Sequence, residues 1–379
     1  ECLVNGFDND KEDLERSRSR VSSFLAEQGL DIKSWQLLEP FNEWARDHSK
    51  VYKSNDDRVD RLKIWIKNHE LIERHNNQVP KPSFTLGHNH FSDLNHDEFR
   101  KMYNLGEFSA DFFDDVTSDK KKSELKRLFQ KPDGIDASEY KEIVASHRRQ
   151  LKTTMSDLPS YVNWVEAGAV TNVKNQGHCG ACWAFSTTGA IEGARFIKTN
   201  ELKSLSEQNL VDCDSHDSAC EGGMMERAFT YDMKGLCSEE EYPYKMEKGS
   251  VCNPNNCSPV ADSGVLYYID VPEKSDAGLR ASIAMQPTSV AIDSRSIYLQ
   301  LYKSGVFHVD HCGEGGIIDH GVLAVGYGHD ENLDKDYYLI KNSWGGKWGE
   351  NGYIRIERNL KHEYGMCSIL KVITTPVLE

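Results

Sequence analysis

Asn175-Gln176-Gly177-His178-Cys179-Gly180-Ala181-Cys182-Trp183-Ala184-Phe185-Ser186 sets a cysteine at the start of an apolar run that reads as a helix. Cys179 stands three residues before Cys182 and can tie the loop down; Gln176 stands six before it. Far downstream come Asp319-His320-Gly321 and Lys341-Asn342-Ser343-Trp344-Gly345. A thiol, an imidazole and a carboxamide in this order are the parts of a nucleophilic Cys-His-Asn site.

The chemistry gives each part a task. A free thiol has a pKa near 8.5, so only a few per cent is thiolate at neutrality. Lowering that value by ~4 units takes roughly 5 kcal/mol of preferential stabilisation. A helix N-terminus supplies only about 0.3–2 kcal/mol, so an imidazolium partner is needed, and His320 is the candidate. Asn342 would hold the imidazole in line through its other ring nitrogen. The Gln176 amide and the Cys182 backbone N–H would form an oxyanion hole, and Trp344 would shield the His320–Asn342 contact. A Cys-x-x-Cys pair also suits a redox or zinc site, but no second pair follows. His308, His311 and Cys312 read as a solvated loop rather than a ligand set. No metal and no cofactor are expected.

These motifs resemble the papain family of cysteine proteases, close to its cathepsin L branch. That family carries C-G-[SA]-C-[WY], with His and Asn about 130–150 residues downstream. Here His320 lies 138 residues beyond Cys182 and Asn342 lies 160 beyond it, the excess falling in the polar stretch His329 to Asp336. The resemblance implies disulfides Cys179–Cys220, Cys213–Cys252 and Cys312–Cys367. It leaves Cys237 and Cys257 free to pair with each other, Cys182 free, and Cys2 over. It also implies that Cys220-Glu221-Gly222-Gly223-Met224-Met225 binds substrate backbone through its glycines. Met224, Met225, Ala291, Ile318 and Gly321 would line the S2 pocket, with Val372 at its base. Such a pocket is apolar throughout and favours Leu or Phe at P2. No paired-histidine occluding loop is present, which implies an endopeptidase.

Upstream, Asp57, Arg61, Trp65, Asn68, Ile72 and Asn76 make one stripe on a helix expected from Asn55 to Gln78. Charge, aromatic and amide groups in fixed order exceed what core packing needs. The stripe resembles the E-R-F-N-I-N motif of cathepsin L-type propeptides. Gly87-His88-Asn89-His90-Phe91-Ser92-Asp93 matches their G-x-N-x-F-x-D motif, and its alternation suggests a short strand. A further helix is expected from Ser34 to His48. The chain then divides into a flexible extension (1–33), an inhibitory prodomain (34–104), a linker and activation segment (105–157) and a peptidase domain (158–379). The linker reads as a solvated tether. The prodomain tail would cross the active-site cleft reversed relative to substrate.

The expected fold class is α+β: a two-lobed papain-like peptidase with a helical left lobe and a β-barrel-like right lobe, behind a mostly helical prodomain. Helices are expected from Cys182 to Thr199 and from Leu205 onward; Val322–Tyr327, Tyr337–Lys341 and Tyr353–Glu357 read as strands. The mature enzyme would begin near Leu158.

Composition sets the outer limits. The 379 residues are 38% hydrophobic and 28% charged, enough for two to three domains. No run of about 18 apolar residues exists, so no membrane span is expected. The net charge is −15, with most of the excess in residues 158–379, which argues against nucleic acid. Ten cysteines suggest an oxidising compartment, hence the secretory pathway, with lysosome, vacuole or extracellular space as destination. The chain opens at Glu1, as if a signal peptide had been removed. The expected partners are protein and peptide substrates and the chain's own prosegment, the enzyme being a monomer. His48, His69, His75, His88, His90, His96 and His147 make the prosegment histidine-rich and suggest release at acidic pH. Asn256-Cys257-Ser258 is a poor glycosylation sequon. A silent homologue used for binding and a free prodomain-type inhibitor are the competing classes. The intact Gln176, Cys182, His320 and Asn342 argue against the first.

Overall fold

The computed structural model describes residues 32–103, 137–231, 235–249, 251–252 and 257–379. They fall into two compact units, one of residues 32–81 and 87–95 and one of residues 82–86 and 96–379. The extension 1–31 and the stretch 104–136, with Cys2, lie outside the described residues.

The first unit is built on α1 (Ile32–Gln36), α2 (Leu38–Asp47) and α3 (Asn55–Asn76). Ser54 starts α3: its hydroxyl accepts from Asp57 N, and Asp56 and Asp57 occupy the first turn while Arg74 and His75 occupy the last. Phe41, Trp44, Ala45, Leu62 and Trp65 form the core. The six-residue stripe now has a physical account. Trp65 packs edge-on against Phe41. Asn68 Nδ2 donates to the carbonyls of Ser92 (2.9 Å) and Leu94 (3.0 Å), and the Arg61 guanidinium donates to that of Asp93 (3.1 Å). The polar members hold a main-chain turn that has no ladder of its own. That turn spans residues 89–94, so the strand expected at Gly87–Asp93 is absent. Asn89 Oδ1 accepts from Phe91 N, and Ser92 Oγ accepts from Asn89 N; side chains that bond nearby backbone compete with strand pairing.

The second unit begins with β1 (Phe84–Leu86) and α4 (His96–Met102). It continues with α5 (Ala137–Ser156), β2 (Val162–Asn163), α6 (Cys182–Thr199), α7 (Glu207–Cys213) and α8 (Met225–Tyr231). Next come β3 (Val265–Asp270), α9 (Asp276–Met285), β4 (Thr288–Ile292), α10 (Ile297–Gln300) and β5 (Tyr302–Phe307). Last are β6 (His320–Asp330), β7 (Lys335–Lys341), β8 (Tyr353–Glu357) and β9 (Ile373–Leu378). Prosegment residues 82–86 and 96–103 thus belong to the same compact unit as the peptidase. Helix α5 lies inside the segment read as a tether. Leu151 is buried on it, and it packs on α9; helical periodicity with a tertiary partner outweighs polar composition.

The sheet runs β1-β5-β8-β7-β6-β4-β9-β3, with β2 paired to β6. It does not close into the barrel-like lobe that the sequence suggested. Closure requires the two terminal strands to hydrogen-bond. Among the described residues β3 pairs only with β9, and the opposite terminal strand is β1 from the prosegment, antiparallel to β5. Helix α6 packs on β6, β4 and β9 and against α7 and α8. Close approach depends on glycine: a Cβ at Gly189 would come within 2.7 Å of Leu323 on β6. Trp183, Ile191, Leu210, Met225, Phe229, Leu323 and Val325 share one core.

Candidate active site

Cys182 is the first residue of α6, and the preceding Ala181 offers no side-chain cap. Within that first turn Ala184 N donates to Ala181 O (2.8 Å), and the backbone amides of Cys182 and Trp183 bond the thiol. The cysteine is held there from three sides. Cys179 is bonded to Cys220 with an S–S length of 2.05 Å, Gly180 N donates to Cys220 O (2.9 Å), and Trp183 Nε1 donates to Ala219 O (3.0 Å). Cys182 is the free cysteine among the described residues and is buried.

His320 opens β6, and Asn342 follows β7, its antiparallel neighbour. His320 Nε2 and Asn342 Oδ1 are 2.8 Å apart. The imidazole stacks on Trp344 at 4.8 Å and 21°, and His320 is fully buried. A Cβ at Gly321 would meet the Cys182 and Trp183 backbone at 3.4 and 3.3 Å, so the first turn of α6 and the start of β6 are in contact. His320 Nδ1 has no hydrogen-bond partner among the described residues. Burial drives both reacting groups toward neutrality. Desolvation pushes the Cys182 thiol up to about 11 and the His320 imidazole down to about 4, the Asn342 bond opposing the latter only in part.

Gln176 is fully buried. Its Oε1 accepts from Ser343 Oγ (2.6 Å), its Nε2 donates to Cys179 O (3.1 Å), and its backbone N–H donates to Ser343 O (2.9 Å). Sequence reasoning missed Ser343 as the anchor, although it lies between Asn342 and Trp344 in the quoted motif. It also missed Tyr244, whose hydroxyl donates to Gln176 O (2.9 Å) and which no local pattern marks.

The prosegment reaches this site through α4. Phe99 meets Trp344 edge-on at 5.1 Å, and the Tyr103 ring lies 5.3 Å from Trp344. His96 Nδ1 lies 3.3 Å from Gln300 Oε1. Met225, Ala291 and Ile318 share one buried apolar cluster with Val372 packed against it; Met224 is buried and Gly321 touches Met225 Sδ. Gly222 has open space where a Cβ would stand, whereas Gly223 is pressed between Asp217 and Trp183.

The sulfurs pair as Cys179–Cys220, Cys213–Cys252, Cys237–Cys257 and Cys312–Cys367. His308 Nδ1 lies 2.8 Å from Glu357 Oε2, His308 Nε2 bonds Asp310 (3.0 Å), and His311 bonds Glu314 (2.8 Å). With Cys312 in a disulfide, that trio does not converge. Among the described residues no three His, Cys, Asp or Glu side chains form a metal-holding group, and no helix is long and apolar enough to cross a membrane. Beneath the site lies a buried charged layer. Lys174 Nζ contacts Glu207 at 2.7 and 2.9 Å, and Lys341 Nζ donates to Thr171 Oγ1 (3.0 Å).

A free thiol opens a helix, an imidazole–carboxamide pair heads the strand that meets that helix turn, and prosegment rings pack on Trp344. Residues 158–377 match the papain family cysteine protease description, and residues 41–99 match the cathepsin propeptide inhibitor domain. A senescence-specific cysteine protease of Arabidopsis thaliana is 40% identical over 339 residues, covering 89% of each chain. Procathepsin L of Rattus norvegicus is 38% identical over 338 residues, 86% of this chain and 89% of its own. Among solved structures, a recombinant stem bromelain precursor is similar with a TM-score of 0.74 and 34% identity, over 91% of this chain and 99% of that one. The chain belongs to the papain family of cysteine proteases and carries that family's inhibitory propeptide domain. It is a cysteine endopeptidase, a hydrolase acting on peptide bonds.

Proposed function

We propose that Cys182, His320, Asn342 and Gln176 carry the reaction. The observation that supports this most is the His320 Nε2–Asn342 Oδ1 bond stacked on Trp344, on the strand that meets the Cys182 turn. His320 Nδ1 takes the thiol proton. Cys182 Sγ attacks the scissile carbonyl carbon, and the oxyanion is held by Cys182 N–H and the Gln176 amide. His320 returns the proton to the leaving amine, and water then hydrolyses the thioester. Asn342, pinned by Ser343 N (2.8 Å), keeps the imidazole in plane. Before cleavage, burial holds the pair neutral; exposing the site removes the desolvation behind both shifts and favours the thiolate–imidazolium form.

The boundaries belong to the same proposal: residues 34–104 inhibit, 105–157 contain the activation region, and the peptidase begins near Leu158. Met224, Met225, Ala291, Ile318, Gly321 and Val372 form S2, Gly222 and Gly223 bind substrate backbone, and Trp344 shields the site. The apolar lining supports Leu or Phe at P2, since a buried guanidinium finds no partner there. Equal turnover of Phe-Arg and Arg-Arg peptides would contradict it.

Acidic activation is the regulatory part. His69 Nδ1 and His88 Nε2 lie 3.0 Å apart, both rings stacked on Trp65. Two cations at that distance would repel. Asp93 accepts from Lys50 (2.7 Å) and Tyr52 (3.2 Å), bonds that weaken when the carboxylate is protonated. Mutating Asp93 and this histidine pair should shift the activation pH; an unchanged pH rejects the idea. Four disulfides support the secretory pathway, with an acidic lysosome or vacuole, or the extracellular space, as destination, and the enzyme acting as a monomer.

A further inference from the structure

The loop between α7 and α8 carries a pair of acids that the reaction does not use. Asp214 and Asp217 have side chains with no exposed surface. Each has one satisfied oxygen: Asp214 Oδ1 accepts from His216 N (2.7 Å), and Asp217 Oδ1 accepts from Met224 N (2.9 Å). The other oxygen of each, Oδ2, is buried without a donor among the described residues. The two carboxyls are side-chain hydrogen-bonding neighbours; two ionised carboxylates cannot occupy such a site together, whereas one proton shared between them satisfies the pair. Asp217 also touches the substrate loop: a Cβ at Gly223 would lie 2.7 Å from the Asp217 carboxyl carbon and from the Trp183 ring.

We infer that Asp217 is a positioning residue for the Gly222–Met224 segment and works as one half of a proton-sharing pair with Asp214. The inference rests on the reading of Gly222 and Gly223 as the groups that bind substrate backbone. Asp217 fixes the Met224 amide, keeps Gly223 flat against Trp183, and so sets the segment beside the first turn of α6.

The charged surroundings fit. His216 Nδ1 lies 3.4 Å from Asp214 Oδ1, and Arg227 Nη1 from α8 lies 4.0 Å from Asp217 Oδ1. Both side chains face the satisfied oxygens, and neither reaches an orphaned one by a bond in the described residues. Burial outweighs them: desolvation first, and for Asp217 the Asp214 charge next, hold Asp214 above and Asp217 well above the ordinary carboxyl range. The sign follows. The folded loop prefers the protonated pair, so its order is complete below the ordinary aspartate range and is lost as pH rises through the folded value.

The test uses enzyme matured from the full chain. KM and kcat for a Phe-Arg fluorogenic peptide are measured from about pH 4 to pH 8 for wild type, Asp217→Asn and Asp217→Ala. Asparagine keeps the acceptor for Met224 N and donates to Asp214 without titrating; alanine removes both. The wild-type KM should rise with pH on the order of fivefold, the worth of one lost bond. The Asp217→Asn KM should stay level, and the Asp217→Ala KM should be high throughout, each with a smaller change in kcat. In parallel, the infrared difference between wild-type and Asp217→Asn proenzyme at neutral pH should contain one protonated-carboxyl band, a readout independent of turnover. An Asp217→Asn curve that follows wild type, or a difference spectrum without that band, overturns the inference. Turnover that survives Cys182→Ala would instead strike the catalytic assignment and leave the infrared result to decide this one.

Discussion

At the scale of the residue, the site is a resting one, and burial sets that state. The thiol is pushed up to about 11 and the imidazole down to about 4, in both cases by desolvation first. Between those values neither is charged. Alkylation of the proenzyme by iodoacetamide at pH about 6 should therefore be slower than that of matured enzyme by at least about 10²-fold. Equal rates would mean that the prosegment does not hold the pair neutral. Asn342→Ala removes the Nε2 partner of His320 and should lower kcat by about 10²-fold with little change in KM. An unchanged kcat would show that Trp344 alone aligns the ring. The proposed quartet could be named from sequence because Gln176 and Cys182 share one short motif and His320 and Asn342 each sit in another. The supports could not: Tyr244 comes from a distant turn, and the bond from Ser343 to Gln176 spans 167 residues.

At the scale of the element, the prosegment works by a few anchors. Trp65 is 2% exposed, with Phe41 and Trp44 around it and His69 and His88 stacked on it. Trp65→Ala should cost about 3–5 kcal/mol of the first unit's stability and raise the pH at which activation begins. A change under about 1 kcal/mol would show that the stripe is not its core. The six-residue stripe was readable from spacing, yet its purpose appears only in the bonds from Arg61 and Asn68 to carbonyls 24 to 32 residues away. The turn at 89–94 was misread as a strand because Asn89, Phe91 and Asp93 alternate at period two, although Ser92 between them is buried as well and bonds Asn89 N. Helix α5 was missed because polar composition masked a face that α9 covers.

At the scale of the molecule, the acidic charge has a consequence for stability. Burial raises Glu226 to about 8, with Asp270 adding to it, and raises Glu239 to about 7 and Asp319 to about 6. Each folded value lies above the unfolded one. The stabilisation is therefore full below about pH 4 for these groups and is lost as pH climbs through 6 to 8. The melting temperature should fall from acid toward pH about 8, and Glu226→Gln should flatten part of that fall. A melting temperature that rises with pH would contradict these assignments. Of the strands, β6, β7 and β8 could be read from the sequence, and β1, β2, β3, β4, β5 and β9 could not. The openness of the sheet could not either, because closure depends on whether the terminal strands β1 and β3 meet, and nothing within a strand encodes that.

The most direct measurement is to incubate the full chain with reductant at acidic and neutral pH beside Cys182→Ala, following Phe-Arg peptide cleavage and product mass. Activity that appears at acid pH, with a product beginning near Leu158 and absent from the variant, is the predicted result. No activity, with Cys182 still unreactive after the prosegment has been cut away, would contradict the assignment of Cys182 as the nucleophile of this enzyme.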